Sequence, residues 1–235
     1  MQRSVATALV ACLVVLSQST PSTAQFEAQS DQVIQTDVTT PTGSQGVMVR
    51  PSNPGQYPAI LHLYGSGETV AKSVALLRAF ARAGYVAMAI EYRDAASGTG
   101  IDINDVYASL EFLKSSRYVR KGLVGLNGFS LGARTALRVA ITQDVRAVSA
   151  IAARTTSGTP PTILDEADKL KMPILLQHGT KDPGVPYEDS VLLEKKLKSL
   201  KRRVQLISYK GAEHNNLPWD QVYERVLLFF RDNIR

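Results

Sequence analysis

The chain has 235 residues, 44% of them hydrophobic, enough for one well-packed domain of ordinary size. Its single cysteine excludes a disulfide framework and a cysteine-based metal cluster. The net charge of +6 is scattered apart from Lys195-Lys196, Lys198 and Lys201-Arg202-Arg203; that run lacks interleaved aromatics and reads as the solvated end of a helix and its turn, not a nucleic-acid surface.

Met1-Gln2-Arg3 carries one positive charge, Val5 to Leu16 is almost wholly apolar, and Ser22-Thr23-Ala24 puts small residues at the last positions before a junction. This pattern predicts a secretory signal peptide over residues 1–24, cut after Ala24, with an apolar core too short to span a bilayer. The expected mature domain is residues 25–235, secreted or periplasmic, with no membrane association after cleavage. Two alternatives attach to the segment: a buried N-terminal helix, and lipidation at Cys12 in the lipobox-like Leu9-Val10-Ala11-Cys12. Against the second, the apolar run continues to Leu16 and the stretch before it is very short. Cys12 otherwise leaves with the leader, and the mature chain has no thiol.

Residues 26–57 read as irregular chain plus an antiparallel hairpin, Val33 to Val38 and Gly46 to Arg50, followed by a turn over Pro51 to Gly55. From there apolar runs alternate with amphipathic segments. The spacing predicts a strand at Ala59 to Tyr64, a helix at Ala71 to Ala83 closed by Gly84, a strand at Val86 to Tyr92, and a helix at Ile103 to Ser115 capped by Asp102. Next come a strand at Leu123 to Phe129, a helix at Leu131 to Ile141, and strands at Val145 to Ala152 and Ile174 to His178. A helix at Tyr187 to Leu200, a strand at Val204 to Tyr209 and a closing helix at Trp219 to Asn233 complete the domain. Such alternation implies an α/β fold with a mainly parallel sheet covered on both faces. In that architecture functional residues gather at the carboxyl ends of the strands.

Gly128-Phe129-Ser130-Leu131-Gly132 stands where a strand turns into a helix, the setting of a nucleophile elbow. A Cβ at 128 or 132 would crowd the neighbouring strand or helix, so small residues are required there. A serine hydroxyl needs a base, and the chain has three histidines. His62 lies within an apolar strand, where a core role is expected, and His178 at a strand end is expected to orient the following loop. His214, in Gly211-Ala212-Glu213-His214 after the last strand, is the expected base. Asp182, in the tight Lys181-Asp182-Pro183-Gly184 loop, is the expected carboxylate behind it; Glu188 and Asp189 compete but read as first-turn helix charges, and Glu213 is expected to point elsewhere. The oxyanion requires backbone N–H donors: Leu131 at the helix start, and Ser66 in Tyr64-Gly65-Ser66-Gly67, with Tyr64 as runner-up. Arg93 and Arg154, after predicted strands, are candidate contacts for an acidic substrate, with structural ion pairing as the alternative. No phosphate-binding glycine motif is present.

The chain resembles the α/β-hydrolase superfamily, particularly its dienelactone-hydrolase-like branch, over about residues 45–235. The resemblance rests on Gly128-Phe129-Ser130-Leu131-Gly132, His178-Gly179-Thr180-Lys181-Asp182-Pro183 and Gly211-Ala212-Glu213-His214. It implies a single-domain hydrolase with Ser130, Asp182 and His214 as its triad, needing neither metal nor organic cofactor. Two departures stand out: dienelactone hydrolases proper carry cysteine where this chain has Ser130, and many relatives have His-Gly where it has Tyr64-Gly65. The resemblance implies that the Tyr64 ring shapes the pocket wall. Only a short excursion, Arg154 to Lys171, separates two late strands, so no large lid domain is expected. The expected partner is a small-molecule ester, with no nucleic acid. Thioester, lactone or peptide cleavage of the prolyl-oligopeptidase-like type are the alternatives, ahead of a non-enzymatic binding scaffold. The oligomeric state is left open.

Overall fold

The computed structural model describes residues 32–92, 101–158 and 160–234. The leader with its Ala24 junction and Cys12 lies outside the described residues, as does Arg93. The strands are β1 (Val33–Thr39), β2 (Gln45–Pro51), β3 (Tyr57–Leu63), β4 (Val86–Ile90), β5 (Val119–Phe129), β6 (Val148–Ile151), β7 (Ile174–Gly179) and β8 (Val204–Tyr209). They form one sheet in the order β1-β2-β4-β3-β5-β6-β7-β8. The β1–β2 and β2–β4 pairs are antiparallel and the remainder parallel. Every residue of β4, β6 and β7 is buried, as strands with both faces covered require. β1 is an edge strand and exposes Ile34, Gln35, Thr36 and Asp37.

The described residues include helices α1 (Val70–Arg82), α2 (Ile103–Ser115), α3 (Leu131–Thr142), α4 (Tyr187–Ser199) and α5 (Trp219–Asn233). α5 buries Val222, Val226 and Phe230, one residue per turn, so a single stripe faces the sheet. α1 and α5 share one face, meeting where the Phe80 and Phe230 rings pack edge to face with centroids 6.3 Å apart. Gly125 on β5 makes room beneath them: a Cβ there would lie 2.8 Å from the Phe230 ring. Truncating Phe230 to alanine would cost about 3–5 kcal/mol through lost burial and the cavity left behind. α2, α3 and α4 cover the opposite face. Asp102 caps α2 as predicted, accepting from the Asn104 N–H at 3.0 Å.

The expected architecture is present, and the differences lie at element ends. β5 begins at Val119 rather than Leu123 because its pairing with β3 shifts register between Tyr57 and Ala59, which absorbs Gly122 at φ +75°. β6 stops at Ile151 because Ala152 takes φ 53°, which a strand cannot continue through. Between β6 and β7 the described chain is loop with one 3-10 turn, Ala167–Lys169, and holds no further domain. Among the described residues no helix is long and apolar enough to cross a membrane.

Candidate active site

Ser130 sits between β5 and α3 with φ 53° and ψ −117°, a conformation that L residues seldom adopt. Two contacts enforce it. A Cβ on Gly128 would meet Ala133 N at 2.6 Å, and one on Gly132 would meet Leu63 O at 2.0 Å. The chain reverses in the space that two missing side chains leave. The Ser130 N–H donates to Ile151 O at 2.8 Å, tying the elbow to the end of β6.

The β7–α4 and β8–α5 loops bring the other two groups. Gly179 ends β7 so close to the second loop that a Cβ would lie 2.4 Å from Ala212 O. The loops are stitched together by Lys181 N–H donating to Ala212 O at 2.9 Å and Gly211 N–H donating to Thr180 Oγ1 at 2.9 Å. Asp182 Oδ2 accepts from His214 Nδ1 at 2.6 Å, which fixes the tautomer and leaves Nε2 to accept the Ser130 hydroxyl at 2.8 Å. Asp182 Oδ1 accepts the N–H groups of Gly184 and Val185, each at 2.8 Å. Burial alone would push the Asp182 carboxyl up, but the Val185 N–H, His214 and the Gly184 N–H together hold it below the usual carboxylate range. The Asp182 side chain is fully buried and that of His214 is 18% exposed, so the relay opens to solvent only at its serine end. Phe129 backs the imidazole at 5.1 Å, and Trp219 packs edge-on against Phe129 at 5.0 Å.

Two backbone N–H groups near this end have no acceptor among the described residues. Leu131 N–H opens α3, where no carbonyl a turn earlier can accept it. In the β3–α1 loop a Cβ on Gly65 would lie 3.5 Å from the Ser130 Cβ, so the loop runs directly alongside Ser130. There the Gly65 N–H is occupied by Glu68 Oε2 at 2.9 Å, whereas Ser66 is exposed and its N–H has no acceptor among the described residues.

The Tyr64 ring departs from expectation. It is 1% exposed, packs on Tyr92 at 4.2 Å and donates its hydroxyl to Glu91 Oε2 at 2.7 Å, so it lies under the β3–α1 loop and not on the pocket wall. Burial, reinforced by the Glu91 carboxylate, pushes that phenol up. His62 is a core residue as expected: Asn127 Nδ2 donates to its Nδ1 at 3.0 Å, and burial, partly offset by Asn127, lowers its imidazole to about 4. Asp189 is likewise structural, accepting the Thr155 and Thr156 N–H groups at 2.6 Å each. That anchor holds the loop carrying Arg154, whose guanidinium donates to Gly184 O.

A cavity of about 220 Å³ opens over Ser130, lined by Leu131, Arg134, Arg154, Gly184 and His214. Sequence reasoning missed Arg134. Its position four residues after Ser130, on the same face of the helix, was the available signal. Among the described residues no carboxylate pairs with Arg134, whereas Arg138 one turn later pairs with Glu166 at 2.6 Å. No group of three or more metal-ligating side chains occurs among the described residues. The arrangement can pass the Ser130 proton to His214, and it leaves the Leu131 and Ser66 N–H groups without an acceptor among the described residues.

The sequence profile of the dienelactone hydrolase family matches residues 93–218, more than half of the chain. A Bacillus subtilis protein, the uncharacterized peptidase YtmA, is 28% identical over 211 residues, covering 72% of this chain and 80% of its own. A Bradyrhizobium protein assigned as a 2-oxo-3-(5-oxofuran-2-ylidene)propanoate lactonase is 27% identical over 192 residues, covering 71% and 76%. A solved Klebsiella pneumoniae structure assigned to the dienelactone hydrolases superposes with a TM-score of 0.76 at 19% identity, covering 86% of this chain and 99% of that one. The profile match over more than half of the chain gives the classification: the chain belongs to the dienelactone hydrolase family.

Proposed function

We propose that this protein is a serine hydrolase that cleaves small carboxylic esters through an acyl-enzyme. The hydrogen bond from Ser130 to His214, at 2.8 Å and backed by Asp182, carries the reading. Ser130 Oγ attacks the acyl carbon as His214 Nε2 takes its proton, and Asp182 steadies the imidazolium. Leu131 and Ser66 N–H groups receive the oxyanion. His214 then returns the proton to the leaving alcohol, and water activated by the same base releases the acid and restores Ser130.

Arg134 and Arg154 beside the cavity favour an ester or lactone that carries an acidic group, in keeping with the propanoate lactone named for the Bradyrhizobium relative. The small cavity suits a short substrate. The enzyme acts after export, in the periplasm or outside the cell, once the leader is cut after Ala24 to leave residues 25–235 as the hydrolase domain. Peptide cleavage is the second reading, favoured by the similarity to YtmA.

Purified protein is expected to hydrolyse short-chain p-nitrophenyl esters and to be labelled by a fluorophosphonate. Ser130→Ala should lower the rate by several orders of magnitude and abolish labelling; full activity in that variant would refute the assignment. Comparing neutral with carboxylate-bearing esters and with dipeptidyl amides separates the two readings.

A further inference from the structure

Asp182 Oδ2 receives two imidazoles. One is His214; the other is His178, whose Nε2 lies 3.2 Å from the same oxygen and 3.1 Å from Val185 O. A carbonyl oxygen can only accept, so His178 Nε2 carries the proton and shares it between Val185 O and Asp182. Its Nδ1 is then the acceptor for the Ser190 hydroxyl at 2.7 Å. The chain of contacts therefore runs Ser130, His214, Asp182, His178, Ser190, from the open cavity into the first turn of α4. With the Gly184 and Val185 N–H groups, His178 gives the Asp182 carboxylate four donors, His214 included. The His178 and Asp182 side chains are both fully buried, so bulk water does not reach this contact.

We propose that His178 is a positioning residue for the reaction, which sets the orientation and basicity of Asp182 and, through it, the proton affinity of His214. The inference rests on the roles proposed above for Asp182 and His214. Each donor on a carboxylate draws off part of its charge, so a carboxylate with one donor fewer binds an imidazolium more strongly. Removing the His178 donor should thus make His214 hold its proton more tightly. It should also free the carboxylate to turn away from the alignment that keeps Nε2 facing Ser130. The charged and ionisable groups facing His178 are Asp182, with His214 behind it, and Tyr187 of α4, whose ring stands edge-on at 5.8 Å. Burial, opposed by Asp182 and the Val185 carbonyl, lowers the His178 imidazole, in keeping with the neutral ring that its Val185 and Ser190 contacts require.

The test compares His178→Leu and His178→Asn with His178→Gln. Only the glutamine amide extends far enough to restore a donor near the Nε2 position. In the Leu and Asn variants the acid limb of the kcat/KM profile should move to higher pH by about half a unit or more. Their kcat should fall about tenfold, with KM changing less. The Gln variant should keep its limb near that of the wild type. Ser190→Ala, which removes packing at the far end of the chain, should lower the thermal midpoint without moving the limb. The low-field proton NMR signal of the His214 Nδ1–H reports the same titration with no substrate present, so the coupling can be read even if ester hydrolysis fails. An unmoved limb and an unmoved NMR titration in His178→Asn, or identical behaviour of the Asn and Gln variants, would overturn the proposal.

Discussion

The two halves of the site are held by opposite means. The nucleophile half is defined by what is missing: Gly128 and Gly132 leave no space for a Cβ, and the strained Ser130 occupies the only path remaining. The acid–base half is defined by what is present, namely the N–H donors that converge on Asp182 and the contacts joining its loop to that of His214. Steric exclusion is close to all-or-none, because backbone atoms at contact distance cannot yield without moving a strand or helix. Hydrogen bonding is graded, since each donor contributes separately and its loss is felt in part. The first half should tolerate no added atom. The second should respond by degrees.

Gly132→Ala tests the first statement most severely. With Leu63 O only 2.0 Å from the new Cβ, the start of α3 must leave β3, and fluorophosphonate labelling should disappear altogether. Retained labelling would show that the elbow can relax. Asp182→Asn probes the second half. The amide keeps the shape but favours the wrong His214 tautomer and sets N–H against N–H at a buried site, so kcat should fall by about 10⁴-fold and the melting midpoint should fall with it.

Asp189→Ala strips the anchor of the Arg154 loop and should destabilise the protein by about 3 kcal/mol, measured as a shift in the urea midpoint at constant slope. If the grading extends this far from the nucleophile, the variant keeps a measurable rate at 25 °C.

An effect of similar size, spread over a range of pH, belongs to His62, outside both halves. Its folded-state value of about 4 lies below the ordinary 6.5, so between those pH values the unfolded chain binds a proton that the fold refuses. Its contribution is therefore complete above about pH 6.5 and lost as the pH falls toward 4, about 3 kcal/mol in all. His178, also lowered, adds a loss of the same sign. Unfolding at pH 7 and pH 4.5 should show the decline, and His62→Gln should flatten it; an unchanged slope in that variant would remove His62 from the account.

What the sequence made legible follows the same division. The elbow could be read because its constraint is local, with two glycines flanking a serine at the junction of two periodicities. The positions of Asp182 and His214 could be read because strand ends in a parallel sheet share one edge. The inward turn of Tyr64 could not be read, since it depends on Glu91, which a separate strand delivers beneath the loop. The same holds for His178: in sequence it is a strand-end histidine four residues before an aspartate, and only the fold of the intervening loop brings the two together. The end of β6 was lost for a third reason, because alanine gives no warning of a positive φ.

The backbone of Ser130 has one further consequence. A residue held at φ 53° and ψ −117° stores about 1–3 kcal/mol of conformational energy that only glycine would release. Ser130→Gly should accordingly melt later than the wild type while having no nucleophile at all. Under the proposed mechanism, selection for thermal robustness alone would erode this position first, and its serine trades durability for reactivity at a single residue.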